Sequence, residues 1–208
     1  MDSMRAVDDR VLALGDSYTI GEGVAEHERW PVQLVSRLRA RGVAVAWPRI
    51  IARTGWTTDE LAAAMDEARF EPPYALVTLL VGVNNQYRGR GLDEYRARFH
   101  SLLTRAIELA GADPRRVIVV SIPDWGVTPF AHNEHRDPAQ TTEQIDTFNA
   151  AARMDADAHG AHFVDITALS RDPRHRHLLV ADGLHPSGAQ YARWVDAIAP
   201  VAVEILET

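Results

Sequence analysis

The stretch Val11–Val24, "VLALGDSYTIGEGV", begins with an apolar run and turns abruptly into Gly-Asp-Ser. The run Val11–Gly15 is typical of a strand that is buried on both faces. Ser17 follows directly, at the point where this strand would end. Two interpretations of Ser17 are open at this stage. It caps a helix, or it is a nucleophile whose partners come from elsewhere in the chain.

Short apolar runs alternate with longer amphipathic ones along the rest of the chain. Besides Val11–Gly15, the runs rich in Val, Ile and Leu are Val43–Ile51, Ala75–Gly82, Val117–Ile122 and His162–Ile166. Such alternation predicts an α/β fold with a mostly parallel five-stranded sheet and helices on both faces. In these sheets functional groups gather beyond the carboxyl ends of the strands. We therefore expect the segments after the strands to meet at one edge.

Helical patterns separate the predicted strands. Trp30, Leu34 and Leu38 recur at four-residue spacing, and Thr58 is predicted to cap the helix that begins "DELAAAMDEA". The last helix is expected to start at Ser187 and to kink or break near Pro200, which cannot donate a helical hydrogen bond. The glycines expected to end the other helices are Gly42, Gly111 and Gly160.

Composition limits the class of protein. With 208 residues, 46% hydrophobic and 25% charged, residues 1–208 are most simply one globular domain. The net charge of -7 disfavours nucleic-acid or anionic-membrane partners. No cysteine is present, which excludes disulfides and thiol chemistry. The sequence shows no secretory signal and no apolar run near the ~20 residues that span a bilayer, so a soluble cytoplasmic protein is expected.

The segment "ADGLHPSGAQ" places Asp182 three residues before His185. A carboxylate at this separation can accept from one imidazole nitrogen, which fixes the tautomer and leaves the other nitrogen as a base. The pair is also compatible with an ordinary loop in which Asp182 caps a turn. If His185 reaches Ser17, it supplies the base that a serine hydroxyl requires.

Candidate oxyanion donors follow two other runs. Asn84 offers a side-chain amide after a buried strand, and Gly55 offers a backbone N–H with no side chain to obstruct a substrate. The amide of Ser17, at a helix start, is a third donor. Each has a structural alternative, since Asn84 forms turns readily and Gly55 serves wherever φ is positive. For Asp16 we favour a structural role, bonding to amides of the turn.

Together these segments resemble the SGNH hydrolase superfamily, also called the GDSL esterase/lipase family. Its four signature blocks carry Ser, Gly, Asn and His in that order. "GDSYTIGEG" matches the first block, Gly55 represents the second, Gly82 and Asn84 form the Gly-x-Asn of the third, and "DGLH" supplies the Asp-x-x-His of the fourth. The blocks cover most of the chain. One departure is Asn85, where many members have Asp, which raises a question about hydrogen bonding in that loop.

The resemblance implies a flavodoxin-like, three-layer α/β/α fold and ester hydrolysis without a metal or other cofactor. It implies a Ser17 nucleophile, His185 as base and then acid, and Asp182 orienting His185. The amides of Ser17 and Gly55 and the Asn84 side chain would form the oxyanion hole. The α/β-hydrolase alternative fails because no serine here lies in Gly-x-Ser-x-Gly.

Four aromatic residues lie just beyond these elements and either line a substrate pocket or pack at the rim of the core: Trp56, Tyr87, Trp125 and Phe130. They follow the second, third and fourth predicted strands. Residues 124–138 form a long connector that we expect to run beside the site. Its His132, His135 and Asp137 fit no standard zinc spacing, so no metal site is predicted.

The sequence therefore predicts a serine esterase acting on a small-molecule carboxylic ester with a small to medium acyl group. An acyltransferase, a thioesterase or a carbohydrate or lipid deacetylase would use the same residues. A non-catalytic flavodoxin-like binding module would explain Ser17 and the glycines but not Asn84 or the Asp182–His185 pair.

Overall fold

A computed structural model describes residues 9–207. Its sheet contains the strands β1 (Val11–Gly15), β2 (Arg49–Ala52), β3 (Leu76–Leu80), β4 (Val117–Val120) and β5 (His162–Val164). The strand order is β2-β1-β3-β4-β5, and every neighbouring pair is parallel. This is the flavodoxin-like order, and the sheet is wholly rather than mostly parallel. The predicted fold class is confirmed.

The helices cover both faces of the sheet. They are α1 (Ser17–Ile20), α2 (Trp30–Ala40), α3 (Thr58–Glu67), α4 (Val83–Tyr87), α5 (Leu92–Leu109), α6 (Pro129–Asn133), α7 (Pro138–His159), α8 (Thr167–Arg171) and α9 (Gly188–Glu207). Helix α2 packs on α9, whereas α5 packs between α3 and α7. Both α5 and α9 contact β3, the central strand. The three layers follow from these two helix groups and the sheet between them.

The core lies on both sides of the central strands. All residues of β1, β3 and β4 are buried, which explains their near-continuous apolar sequences. The edge strand β2 is only partly buried, as is most of β5, because each has a neighbour on one side only. Trp30 of α2 and Trp194 of α9 are fully buried and are among the largest side chains of the core.

The second predicted strand is too long. The run Val43–Ile51 forms regular strand only from Arg49, while Val45 makes an isolated bridge to Asp9. Pro48 lacks the N–H that a ladder needs, and Trp47 is 58% exposed, so the pairing is interrupted between Val45 and Arg49. The third, fourth and fifth strands also end before their predicted limits. The Ile122 amide, for example, donates to the Asn149 side chain (2.8 Å) instead of a strand.

Three helix predictions require correction. The N-cap of α3 is Thr57, not Thr58, and Glu60 accepts from the Thr57 amide (2.9 Å). Helix α9 begins one residue after Ser187, whose hydroxyl accepts from the amide of Gln190 (3.4 Å). The same helix runs through Pro200 to Glu207, so of the predicted kink or break the break is wrong, and the kink stays a prediction. Pro200 is exposed, but Ile198, Ala199 and Ala202 of the same helix are buried, which favours continuation over the loss of one helical bond.

Within residues 9–207, none of the helices combines the length and the apolar character that crossing a bilayer requires. The cytoplasmic location stays a prediction.

Candidate active site

The Gly-Asp-Ser turn joins β1 to α1 at the carboxyl edge of the sheet. Asp16 is the N-cap of α1, and its Oδ1 accepts from the Tyr18 amide (3.0 Å). This is the structural role predicted for Asp16. Ser17 is the first residue of the helix, a position whose amide has no acceptor within the helix. Its N–H is therefore available to a ligand at this edge.

The buried carboxyl beneath this turn has an unusual electrostatic environment. Asp16 is fully buried, and burial raises its pKa to about 7, although the backbone amides of Tyr18 and Gly82 favour the charged form. The carboxyl is therefore in equilibrium between its neutral and charged forms near neutral pH.

The "DGLH" loop between α8 and α9 holds an aspartate–histidine pair. Asp182 Oδ2 lies 2.6 Å from His185 Nδ1. Asp182 Oδ1 accepts from the amides of Leu184 (2.8 Å) and His185 (3.0 Å). Partial burial acts against ionisation, but the bonds from the His185 ring and from these two amides hold the pKa of Asp182 below its ordinary value. A charged Asp182 therefore fixes Nδ1 as the protonated nitrogen and leaves Nε2 to accept a proton.

The loop is anchored on both sides. The His185 carbonyl accepts from the Val180 amide (2.9 Å), which closes the turn around the pair. The Gly183 carbonyl accepts from the Phe130 amide (3.1 Å) at the start of α6. The connector of residues 124–138 thus contacts the histidine loop, as expected from its position after β4.

Gly55 lies in the turn between β2 and α3. Its φ is +85°, a conformation that favours glycine, whereas a Cβ there would have open space and only Arg88 Nη2 at 3.7 Å. Arg88 Nη2 donates to the Gly55 carbonyl (2.7 Å) and holds the turn in place. Glycine is therefore required here by its positive φ. The open space at this position also leaves the Gly55 backbone accessible from the cavity.

Asn84 and Asn85 are adjacent in α4 but point into different surroundings. Asn84 Nδ2 donates to the Trp56 carbonyl (2.9 Å), which uses one of its two N–H groups. Asn85 is fully buried, accepts from the Thr58 amide (3.0 Å) and donates to the Thr58 hydroxyl (2.8 Å). Asn85 therefore makes the hydrogen bonds of this loop. They are satisfied although Asn stands where many members of the family have Asp. Gly82 precedes both, and a Cβ there would lie 2.5 Å from the buried Tyr95 ring.

A single cavity of about 180 Å³ brings these segments together. Ser17, Gly55, Asn84 and His185 all line it. Its other lining residues are Tyr18, Thr54, Val83, Tyr87, Trp125, Phe130 and Leu184. The turn after β1 and the loop before α9 thus meet over one cleft, although they lie near opposite ends of the chain. Asp182 is not one of the lining residues, but it is hydrogen-bonded to the His185 ring.

Three of the four aromatic candidates form one wall of the cavity. The Tyr87 ring centroid lies 5.3 Å from that of Trp125 and 6.3 Å from that of Phe130. Trp125 Nε1 donates to Gln86 Oε1 (2.7 Å), which orients the indole. Trp56, which was also predicted to bind substrate, does not line this cavity; its side chain packs against the core, and its carbonyl accepts from Asn84.

Sequence reasoning missed several lining residues and the group that orients Trp125. Tyr18 and Leu184 are immediate neighbours of Ser17 and His185, and the Tyr18 ring lies 5.6 Å from the imidazole. Their position beside the motif residues was the available signal. Gln86 had no such signal, because its partner Trp125 lies in another segment.

Comparison with known proteins agrees with this geometry. The profile of the GDSL-like lipase/acylhydrolase family matches residues 13–193. The chain belongs to this family. It is accordingly an ester-bond hydrolase, and the family's esters are small molecules. The resemblance stated from the four sequence blocks is confirmed.

Solved structures with the same fold include several family enzymes. The lipase/acylhydrolase from Enterococcus faecalis matches with TM-score 0.72 and 22% identity, over 95% of this chain and 97% of its own. Esterase EstA from Pseudoalteromonas sp. matches with TM-score 0.71 and 17% identity, over 97% and 100%. An acetyl xylan esterase variant from Geobacillus stearothermophilus matches with TM-score 0.71 and 20% identity, over 93% and 94%. No curated protein sequence matches significantly.

Proposed function

We propose that this GDSL-family hydrolase is a serine esterase that cleaves short-chain carboxylic esters through an acyl-enzyme, with Ser17, His185 and Asp182 as its triad. The observation that carries the proposal is the shared cavity of Ser17 and His185, with His185 Nδ1 held 2.6 Å from Asp182 Oδ2. That contact occupies Nδ1 and supports the proposal that Nε2, the other ring nitrogen, transfers the proton.

The reaction runs in two halves. Ser17 Oγ bonds to the acyl carbonyl carbon while its proton passes to His185 Nε2, and the carbonyl oxygen becomes an oxyanion. The alcohol leaves when its C–O bond breaks and it takes the proton from His185. Water then gives a proton to His185 and attacks the acyl-enzyme, and the carboxylic acid departs as Ser17 recovers its proton. Asp182 stays ionised throughout and stabilises the imidazolium.

The oxyanion is held by three donors on different elements. These are the Ser17 amide at the start of α1, the Gly55 amide in the turn before α3, and the second N–H of the Asn84 amide. The bond from Asn84 to the Trp56 carbonyl (2.9 Å) ties the third donor to the loop that carries the second. Preorganised donors of this kind stabilise the charge that develops in the transition state.

The volume and the lining of the cavity favour a short acyl group. About 180 Å³ bounded by Tyr87, Trp125 and Phe130 suits a short acyl chain, which these rings shield from water. A second candidate is deacetylation of a carbohydrate, which the same short acyl pocket would accept. The partly exposed Phe130 ring at the cavity is an apolar surface for a sugar ring.

A panel of p-nitrophenyl esters from acetate to octanoate tests the proposal on the wild type and Ser17→Ala. We expect turnover to be highest for the shortest esters and to fall at least about a thousandfold in Ser17→Ala. Ser36→Ala, at an exposed position on α2, is the matched control and keeps full activity. Full activity of a folded Ser17→Ala protein would refute the assignment.

Two further assays separate the candidates. Release of acetate from acetylated xylo-oligosaccharides, at a kcat/KM above that for p-nitrophenyl acetate, would identify the carbohydrate deacetylase. Competing alcohols test transfer: formation of new esters instead of free acid would identify an acyltransferase.

A further inference from the structure

A second group of chemically reactive side chains lies between α5 and α7. His100 comes from α5, whereas Asp155 and His159 are one turn apart on α7. Asp155 Oδ1 is 3.0 Å from His100 Nδ1 and 3.4 Å from His159 Nδ1. The two imidazole centroids are 5.0 Å apart. Two imidazole rings and one carboxylate thus lie close together where α5 packs on α7.

The spacing suits a transition metal. One ligand atom from each of the three residues lies within 4.8 Å of the others. Two ligand atoms on a tetrahedral zinc ion are about 3.4 Å apart, since Zn–N and Zn–O bonds are close to 2 Å. Small side-chain rotations therefore bring the three ligands into the first coordination sphere. His100 is 58% exposed, so its ring is free to make this adjustment.

The hydrogen bonding of the cluster leaves an unsatisfied acceptor. Asp155 Oδ2 is buried and has no hydrogen-bond partner among the described residues. A cation beside this carboxylate would satisfy it. His159 Nδ1 also lies 2.8 Å from the Asp155 carbonyl, which holds the ring beside this carboxylate.

We propose that His100, Asp155 and His159 form a binding site for a divalent transition metal such as zinc, with water completing the coordination. Two imidazoles and one carboxylate suit Zn²⁺, Co²⁺, Ni²⁺ or Cu²⁺ better than Mg²⁺ or Ca²⁺, which prefer oxygen ligands alone. Within residues 9–207 this is the one group of three such side chains with ligand spacing, and His132, His135 and Asp137 do not form another.

The site is separate from the catalytic cleft. Helix α7 ends at His159, three residues before β5 begins, so this end of the helix lies towards the amino-terminal edge of the sheet. Ser17 follows the carboxyl end of β1. A metal here cross-links α5 and α7 and stabilises the folded chain by binding it in preference to the unfolded chain. The proposal is independent of the esterase mechanism.

Calorimetric titration of tag-free, chelator-treated protein with ZnCl₂ tests the site. We expect one high-affinity zinc per wild-type chain, and binding weakened more than about tenfold in both His100→Ala and His159→Ala. His132→Ala removes an exposed histidine outside the cluster and is the matched control with unchanged binding. Zinc raises the Tm of the wild type and of His132→Ala, and has a much smaller effect on His100→Ala.

Circular dichroism verifies that each variant is folded, and His100→Gln replaces His100→Ala if the alanine variant is not. The proposal is overturned if the wild type shows no stoichiometric zinc site. It is equally overturned if folded His100→Ala or His100→Gln binds zinc as tightly as the wild type, which would place the ion on other histidines.

Discussion

Asn84 and Asn85 share a helix and a residue type, yet their contacts differ, and we propose different roles for them. Asn84 faces the cavity and bonds to the Trp56 carbonyl, whereas Asn85 is buried against Thr58. An oxyanion donor acts on the transition state, so its loss lowers kcat. A buried bridge between two loops acts on the folded state, so its loss lowers stability.

We expect Asn84→Ala to lower kcat about a hundredfold or more with little change in KM, because one donor to the developing charge is removed. Asn85→Ala is the matched comparison. It leaves the Thr58 amide and hydroxyl unpaired and lowers the free energy of unfolding by about 1–3 kcal/mol. Steady-state kinetics and urea unfolding of both variants measure the two effects. Wild-type kcat in Asn84→Ala would exclude this residue from the oxyanion hole.

At the scale of an element, α1 depends on a buried carboxyl. The Asp16 carboxylate caps the helix, and burial raises its pKa to about 7 from an ordinary value of 3.8. Between these values the folded chain holds a proton that the unfolded chain has released. Stability therefore falls as the pH rises through this interval and levels off above about 7.

Asp16→Asn keeps a side-chain oxygen for the Tyr18 amide but cannot ionise. The free energy of unfolding of the wild type, relative to Asp16→Asn, should decrease from about pH 4 to about pH 7, by at most about 4 kcal/mol. Urea unfolding of both proteins across this range measures the difference. Parallel stability profiles would show that the Asp16 pKa is not raised in the folded chain.

The strands and helices could be predicted where the residues of the segment itself determine its structure. The buried runs and their order gave the parallel sheet, and the glycines after α2, α5 and α7 marked helix ends. Errors arose where tertiary packing or capping decided the outcome. The helix continues through the exposed Pro200 because Ile198, Ala199 and Ala202 beside it are buried in the core. Thr57 rather than Thr58 caps α3 because Glu60 bonds back to Thr57.

At the scale of the whole molecule, the predictable part of the site was the part encoded in short motifs. Ser17, Gly55, Asn84 and His185 follow strands or precede a helix, and parallel topology brings those positions to one edge. Trp56 also follows the second predicted strand, directly after Gly55, but the direction in which its side chain points depends on packing. The His100–Asp155–His159 cluster joins two helices, and no local spacing in the sequence indicates it.

The most direct test of the account is covalent labelling with a serine-directed fluorophosphonate, followed by intact mass measurement and peptide mapping. We predict one label per chain, located on Ser17, with loss of labelling in Ser17→Ala and much slower labelling in folded His185→Ala, since His185 removes the hydroxyl proton. A label on another serine, or an unchanged rate in His185→Ala, would contradict the nucleophile and base assigned here.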